Sequence, residues 1–287
     1  PANDIKIANC RFKTDDDSIA LNCPEGYTGD ISRITVTGCE FNSWSLMRMY
    51  TTNGSPAKFR IDSVLVENCT GTLAEAAFLI GVAAGSVPKS IGTLRISNCV
   101  FTAPAVLGIA ENFGNIVLQD VAFIPFQSQV VWKSPQANET SAFARPSPLY
   151  GAVPFIGLSL AFQNCRIYRP QSVDVAAIIL ENQSSIHRIE FDGFALQNAR
   201  PYSPVPSLVN LEGGSVGELV FNALDSTNIE SPVEAAEFSD IGTISGAGVL
   251  ETGWKFPDAV MADGVPYIST TTGRASIKVG GSAELYP

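Results

Sequence analysis

Three consecutive carboxylates, Asp15, Asp16 and Asp17, stand directly before a short alternating run, Ser18-Ile19-Ala20-Leu21. Like charges held together raise one another's pKa, so such a cluster either sits on a solvated turn or handles protons. Two carboxyl groups of unequal pKa are suited to general acid and base work. Asp16 and Asp17, closest to the apolar run, are the candidate catalytic residues. Asp15 is a candidate substrate contact. A purely solvated acidic turn is the competing reading, since sequence does not give the separation of the carboxyl groups.

The elements that hold this turn repeat along the chain. Eight stretches align: IKIANCRF from Ile5, ITVTGCEF from Ile34, VLVENCTG from Val64, LRISNCVF from Leu94, IVLQDVAF from Ile116, LAFQNCRI from Leu160, IEFDGFAL from Ile189 and LVFNALDS from Leu219. Each is an alternating strand, then Asn, Asp or Gly, then Cys or another small or apolar residue. The Cys-equivalent positions read as 10, 39, 69, 99, 121, 165, 193 and 223, with gaps of 29, 30, 30, 22, 44, 28 and 30. Five of the six cysteines share this register, which a disulfide framework would not require. They read as a buried ladder of soft side chains, and no metal site is expected with one histidine, His187, and no CxxC spacing. His187 reads as a surface residue at the start of a strand. Asn at 9, 68, 98 and 164 tolerates left-handed backbone, and stacked amides would bond from repeat to repeat.

A second strand follows each first one: Ile19-Ala20-Leu21, Met47-Arg48-Met49, Phe78-Leu79-Ile80, Leu107-Gly108-Ile109, Val130-Val131-Trp132, Ile178-Ile179-Leu180 and Leu208-Val209-Asn210. Alternation of period two and repeats of 22 to 30 residues predict an all-β parallel β-helix solenoid with no helical segment. Residues 1–240 form about eight such rungs. Residues 241–287, rich in Gly and Thr, read as an irregular β-rich cap or oligomerisation segment, because a solenoid end needs covering.

TDDDSIAL at 14–21, preceded by IxNCxF, resembles the aspartate-bearing rung of polygalacturonase-type enzymes in the pectin-lyase-like superfamily. Bacteriophage tailspike depolymerases look similar. The resemblance covers about residues 3–240. It implies a right-handed parallel β-helix, a glycoside hydrolase (less readily a lyase) acting on a complex or acidic polysaccharide in a surface groove, Asp16 and Asp17 as its acid and base, no cofactor, and a homotrimer outside the cell or on a virion surface. The family's further Asp one rung upstream has no counterpart here, so upstream rungs are expected in a longer polypeptide. The family's Gly-His-Gly is also absent, because the next rung reads Asn42-Ser43-Trp44-Ser45-Leu46-Met47-Arg48-Met49-Tyr50. The alternatives are a non-catalytic spike that binds a surface glycan and a purely mechanical shaft.

Arg48 should lie one strand spacing, about 4.8 Å, from the Asp16–Ala20 row, to hold a substrate carboxylate, tune an aspartate or form an ion pair. Trp44 and Tyr50 flank it as rings on which a sugar would stack. Glu75 and Glu111 occupy matching places on later rungs and read as lining the same face. Residues 133–155 form a long Pro- and Ser-rich insertion read as a loop, with Arg145 and Tyr150 as candidate groove-wall residues.

The charge of −10 disfavours nucleic acid, which needs a basic stripe. No apolar run is long enough for a membrane-spanning helix, and no signal peptide is recognisable.

Overall fold

The computed structural model describes residues 2–23, 29–51, 60–81, 91–125, 141–146, 154–170, 175–181, 183–225, 227–236 and 239–245, and the backbone of four short strands within 260–284. These residues are all-β, with no helix among them. Two long parallel sheets are visited in alternation, so each pass through one is followed by a pass through the other.

The first sheet runs in chain order through Ala2–Ala8, Ile31–Thr37, Ile61–Glu67, Ile91–Ala103, Phe113–Pro125, Ile156–Gln163, Ser185–Asp192, Ser215–Asn222 and Asp240–Ser245. The second runs through Asp17–Cys23, Ser45–Thr51, Ala76–Ile80, Ala105–Ile109, Ser141–Pro146, Val175–Glu181, Val205–Glu212 and Ile229–Ala236. Short strands such as Arg11–Lys13, Glu40–Ser43 and Thr70–Leu73 pair beyond the turn that ends each first-sheet strand. Alternation puts one side chain in two between the sheets, and the register stacks like on like. Ile34, Val64, Leu94, Ile116, Leu160, Ile189 and Leu219 form one buried column. In the next column Phe162, Phe191 and Phe221 stack face to face, with centroids 4.9 and 5.2 Å apart.

Left-handed residues make the turn between strands. Asn9, Asn68, Asn98, Asp120 and Asn164 have φ of 49–56°, and Gly38, Gly193 and Ala223 take the same place at 64°, 72° and 51°. Asn98 Nδ2 donates to Asn68 Oδ1 at 2.6 Å, and Asn164 Nδ2 to Asp120 Oδ1 at 2.5 Å. The thiols follow in single file: the backbone N–H after each ladder position donates to the ladder carbonyl one repeat away, as from Glu40 to Cys10, Thr70 to Cys39 and Val100 to Cys69. All six cysteines are free.

Two details of the repeat differ from the sequence reading. The ladder positions in the seventh and eighth repeats are Phe194 and Leu224, not 193 and 223, since Ala195 N donates to Cys165 O and Asp225 N to Phe194 O. Gly193 and Ala223 are the left-handed turn residues. The 133–155 insertion is also not all loop. Ser141–Pro146 is a second-sheet strand between Ala105–Ile109 and Val175–Glu181, the place assigned above to Val130-Val131-Trp132. Those three residues lie outside the described set, as do most side chains of 241–287. In that segment Arg274–Ile277 and Ala283–Glu284 pair antiparallel with the last parallel strands. Among the described residues no helix is long and apolar enough to cross a membrane.

Candidate functional site

Asp15, Asp16 and Asp17 occupy the bend where the chain leaves the first sheet for the second. Thr14 Oγ1 donates to Asp16 O at 2.7 Å, and Trp44 N donates to the same carbonyl at 3.3 Å. Asp17 N donates to Asp16 Oδ1 at 2.9 Å, so the Asp16 carboxylate is turned toward the backbone of the residue that follows it. Asp15 and Asp16 are exposed, whereas the Asp17 side chain is 6% exposed.

The strand Asp17–Cys23 pairs with Ser45–Thr51, placing Asp17 beside Ser45, Ala20 beside Arg48 and Asn22 beside Tyr50. Ser45 Oγ donates to Asp17 Oδ1 at 2.5 Å. Arg48 Nε lies 3.1 Å from Asp17 Oδ2. That nitrogen lacks the angle of a hydrogen bond, so the contact is an ion pair rather than a directed bond. Four influences then set the Asp17 carboxyl. Burial is the largest and raises its pKa; the Ser45 hydroxyl and the Arg48 charge lower it; the Asp16 charge raises it; the balance is upward. The two adjacent aspartates thus differ in exposure: Asp16 faces solvent, and Asp17 is enclosed with its pKa raised above the ordinary carboxylate value.

Trp44 is half-buried and packs on Ala76, Leu79 and Ala105, which are buried on the second sheet apart from the main core. Tyr50 follows Arg48 by two residues, on the same face of the same strand, and is half-buried. Glu75 is half-buried, and its backbone N–H donates to Trp44 O at 3.1 Å. Asp15, Asp16, Asp17, Trp44, Ser45 and Glu75 therefore belong to three successive repeats at one turn, with Arg48 reaching back to Asp17 from the strand that leaves it and Tyr50 two residues further along.

Glu111 and Arg145 do not join them as solvent-facing wall residues. Glu111 is 4% exposed; its carboxylate accepts from Thr51 N at 3.4 Å and from Thr51 Oγ1. Gly81 makes this reach possible, because a Cβ there would come within 2.4 Å of Glu111 Cβ. Arg145 is 7% exposed, and lies in the strand Ser141–Pro146 in register with Gly108. The causes differ: Glu111 reads as lining the face by its matching place on a later rung and is drawn inward by its bonds to Thr51, and Arg145 reads as part of a loop that the structure makes a second-sheet strand. Tyr150 lies outside the described residues.

Reading the sequence missed Ser45, although its register with Asp17 follows from aligning Ile19 with Met47. It also missed a second acidic pair. Glu181 and Glu212 are in register on adjacent strands, and Asn210 Nδ2 donates to Glu212 Oε1 at 2.8 Å. Burial raises the Glu181 pKa, Glu212 raises it further, and Arg145 opposes both. Among the described residues no three His, Cys, Asp or Glu side chains converge as metal ligands.

Chemically, the acidic turn offers an enclosed carboxyl on Asp17, its pKa raised by burial, beside the exposed carboxyl of Asp16, with the Arg48 cation and the Trp44 ring alongside. No family model, curated protein or solved structure matches this chain.

Proposed function

We propose that the chain is a right-handed parallel β-helix of the pectin-lyase-like kind that acts on a polysaccharide lying across the turn at Asp16. The reading rests on one observation: an enclosed carboxyl with a raised pKa, Asp17, directly beside an exposed one, Asp16. In that reading Asp17 donates a proton to the leaving glycosidic oxygen, and Asp16 activates water as general base. Arg48 keeps Asp17 from rising too far, and Trp44 and Tyr50 offer rings for sugar stacking. Arg48 is already paired with Asp17, so it is not free to hold a uronate carboxylate, which favours a neutral stretch of glycan. Assembly as a homotrimer, placement outside the cell or on a virion, and the absence of a cofactor belong to the same proposal.

The test is reducing-end release from a panel of bacterial and plant polysaccharides. Asp16→Asn and Asp17→Asn are each expected to lower cleavage by about 10²-fold or more, the usual size of a general acid or base contribution. Undiminished cleavage by either variant rejects that residue's role.

A second reading keeps the glycan and removes the chemistry. The Asp17–Arg48 ion pair supports it, because an aspartate held by a neighbouring arginine also serves as a structural clamp. Binding without reducing-end release would select it.

A further inference from the structure

We propose that a notch beside the left-handed turns of the fourth to seventh repeats is a binding site for one neutral sugar ring. It is a cavity of about 250 Å³ on the first sheet, and it shares no residue with the acidic turn. Ligand pockets for larger molecules begin near 300 Å³, so this volume suits a single ring.

Its origin lies in the turn column. At Asn98, Asp120 and Asn164 the left-handed residue carries an amide or carboxylate; at Gly193 it carries nothing. The stack of side chains stops there and leaves an opening. Buried Cys165 and Val121 line it as well, with the polar groups around them.

Those polar groups define the ligand. Asn98 gives one amide N–H to Asn68 and Asn164 gives one to Asp120, leaving a second N–H on each, with the Asn98 and Asn164 carbonyl oxygens and the second Asp120 oxygen as acceptors. Arg166 and Gln197, both exposed, line the notch, and their side chains have no hydrogen bond or ion pair to another described residue. Arg166 only donates, and Gln197 does both. The opposite charges of Asp120 and Arg166 offset one another, so the notch has no net attraction for an anion or a cation. Vicinal hydroxyls, each donor and acceptor at once, satisfy both sides without net charge. Tyr168 is in register with Gln197 and is 39% exposed, an unused ring next to the notch for the apolar face of a sugar.

The variant Gly193→Asn tests this directly. A Cβ at Gly193 would lie 3.4 Å from Asn164 Cα, an ordinary contact, and φ of 72° suits Asn. The substitution continues the column and fills the notch. Isothermal titration with a panel of neutral, uronic and phosphorylated mono- and disaccharides is expected to show saturable binding of neutral members below about 10 mM. Binding should weaken about tenfold or more in Gly193→Asn, Gln197→Ala and Tyr168→Ala, with unchanged melting temperature, and persist in Asp17→Asn. Binding that survives both Gly193→Asn and Gln197→Ala, a preference for charged sugars, or no saccharide binding would overturn the assignment. If Gly193→Asn does not fold, Gln197→Ala decides. Loss of glycan cleavage in Asp17→Asn with sugar binding retained separates this site from the acidic turn.

Discussion

Ala223 has φ of 51° at a position where the other repeats use Asn, Asp or Gly. An L-residue with a Cβ pays about 1–2 kcal/mol there, which glycine avoids at some cost in chain entropy. Ala223→Gly is therefore expected to stabilise the fold by about 1 kcal/mol, read from the midpoint of chemical unfolding. Gly81 is the opposite case. Its φ is 86°, and an added Cβ would meet Glu111 Cβ at 2.4 Å and Ala110 C at 3.0 Å. Gly81→Ala should destabilise by about 2 kcal/mol or more, and it should loosen the Glu111–Thr51 bond. Asp17 carries a pH signature. Its folded pKa is raised, so its contribution is fully present below the unfolded-state value and is lost as pH climbs through the folded-state value. Raising pH from about 3 to about 7 should therefore lower the melting temperature of the native chain relative to Asp17→Asn. A gap that stays constant would show that the carboxyl is not enclosed.

Within an element, register decided what could be read in advance. Ile34, Val64 and Leu94 announce their column because apolar residues recur every 29 or 30 positions. Asn9, Asn68 and Asn98 announce the left-handed turn because few other residues tolerate it. The seventh and eighth turns were displaced by one, because Phe194 and Leu224 do not look like cysteine and Ala223 does not look like a turn residue. The Asp17–Arg48 neighbourhood was legible, since Asp17 stands just before the triplet Ile19-Ala20-Leu21 and Arg48 sits within the triplet aligned with it, Met47-Arg48-Met49. Ser45 was overlooked although the same alignment contained it. Glu111 was not legible at all, because its burial depends on a missing side chain at Gly81, one repeat away. The aromatic column is the best place to measure what register contributes. Phe191 is wholly buried and contacts Phe162, Phe194 and Phe221, so Phe191→Ala is expected to cost about 3–5 kcal/mol. The thiol file makes its own prediction. Burial pushes Cys39 upward and Cys165 to about 12, so both should resist alkylation at mildly alkaline pH until the fold opens. Half-buried Cys10, at the start of the file, should be modified first, as a mass-mapped time course would show.

Across the whole molecule, each parallel strand within a sheet lies between its predecessor and its successor, and stabilising contacts pass from one repeat to the next. Strand order alone makes the two ends unlike. At one end Ala2–Ala8 and Asp17–Cys23 are the outermost described strands, and Ile5, in the column otherwise occupied by buried residues, is 40% exposed. Amide exchange should accordingly be fastest in Ala2–Ala8 and slowest in the middle repeats, in sequence rather than at random.

The antiparallel strands Arg274–Ile277 and Ala283–Glu284 reverse the chain direction against the last parallel strands. A newcomer running in the common direction meets a strand of opposite sense there and finds no continuation of the parallel ladder. Lateral accretion in the prevailing polarity is thus disfavoured at that margin.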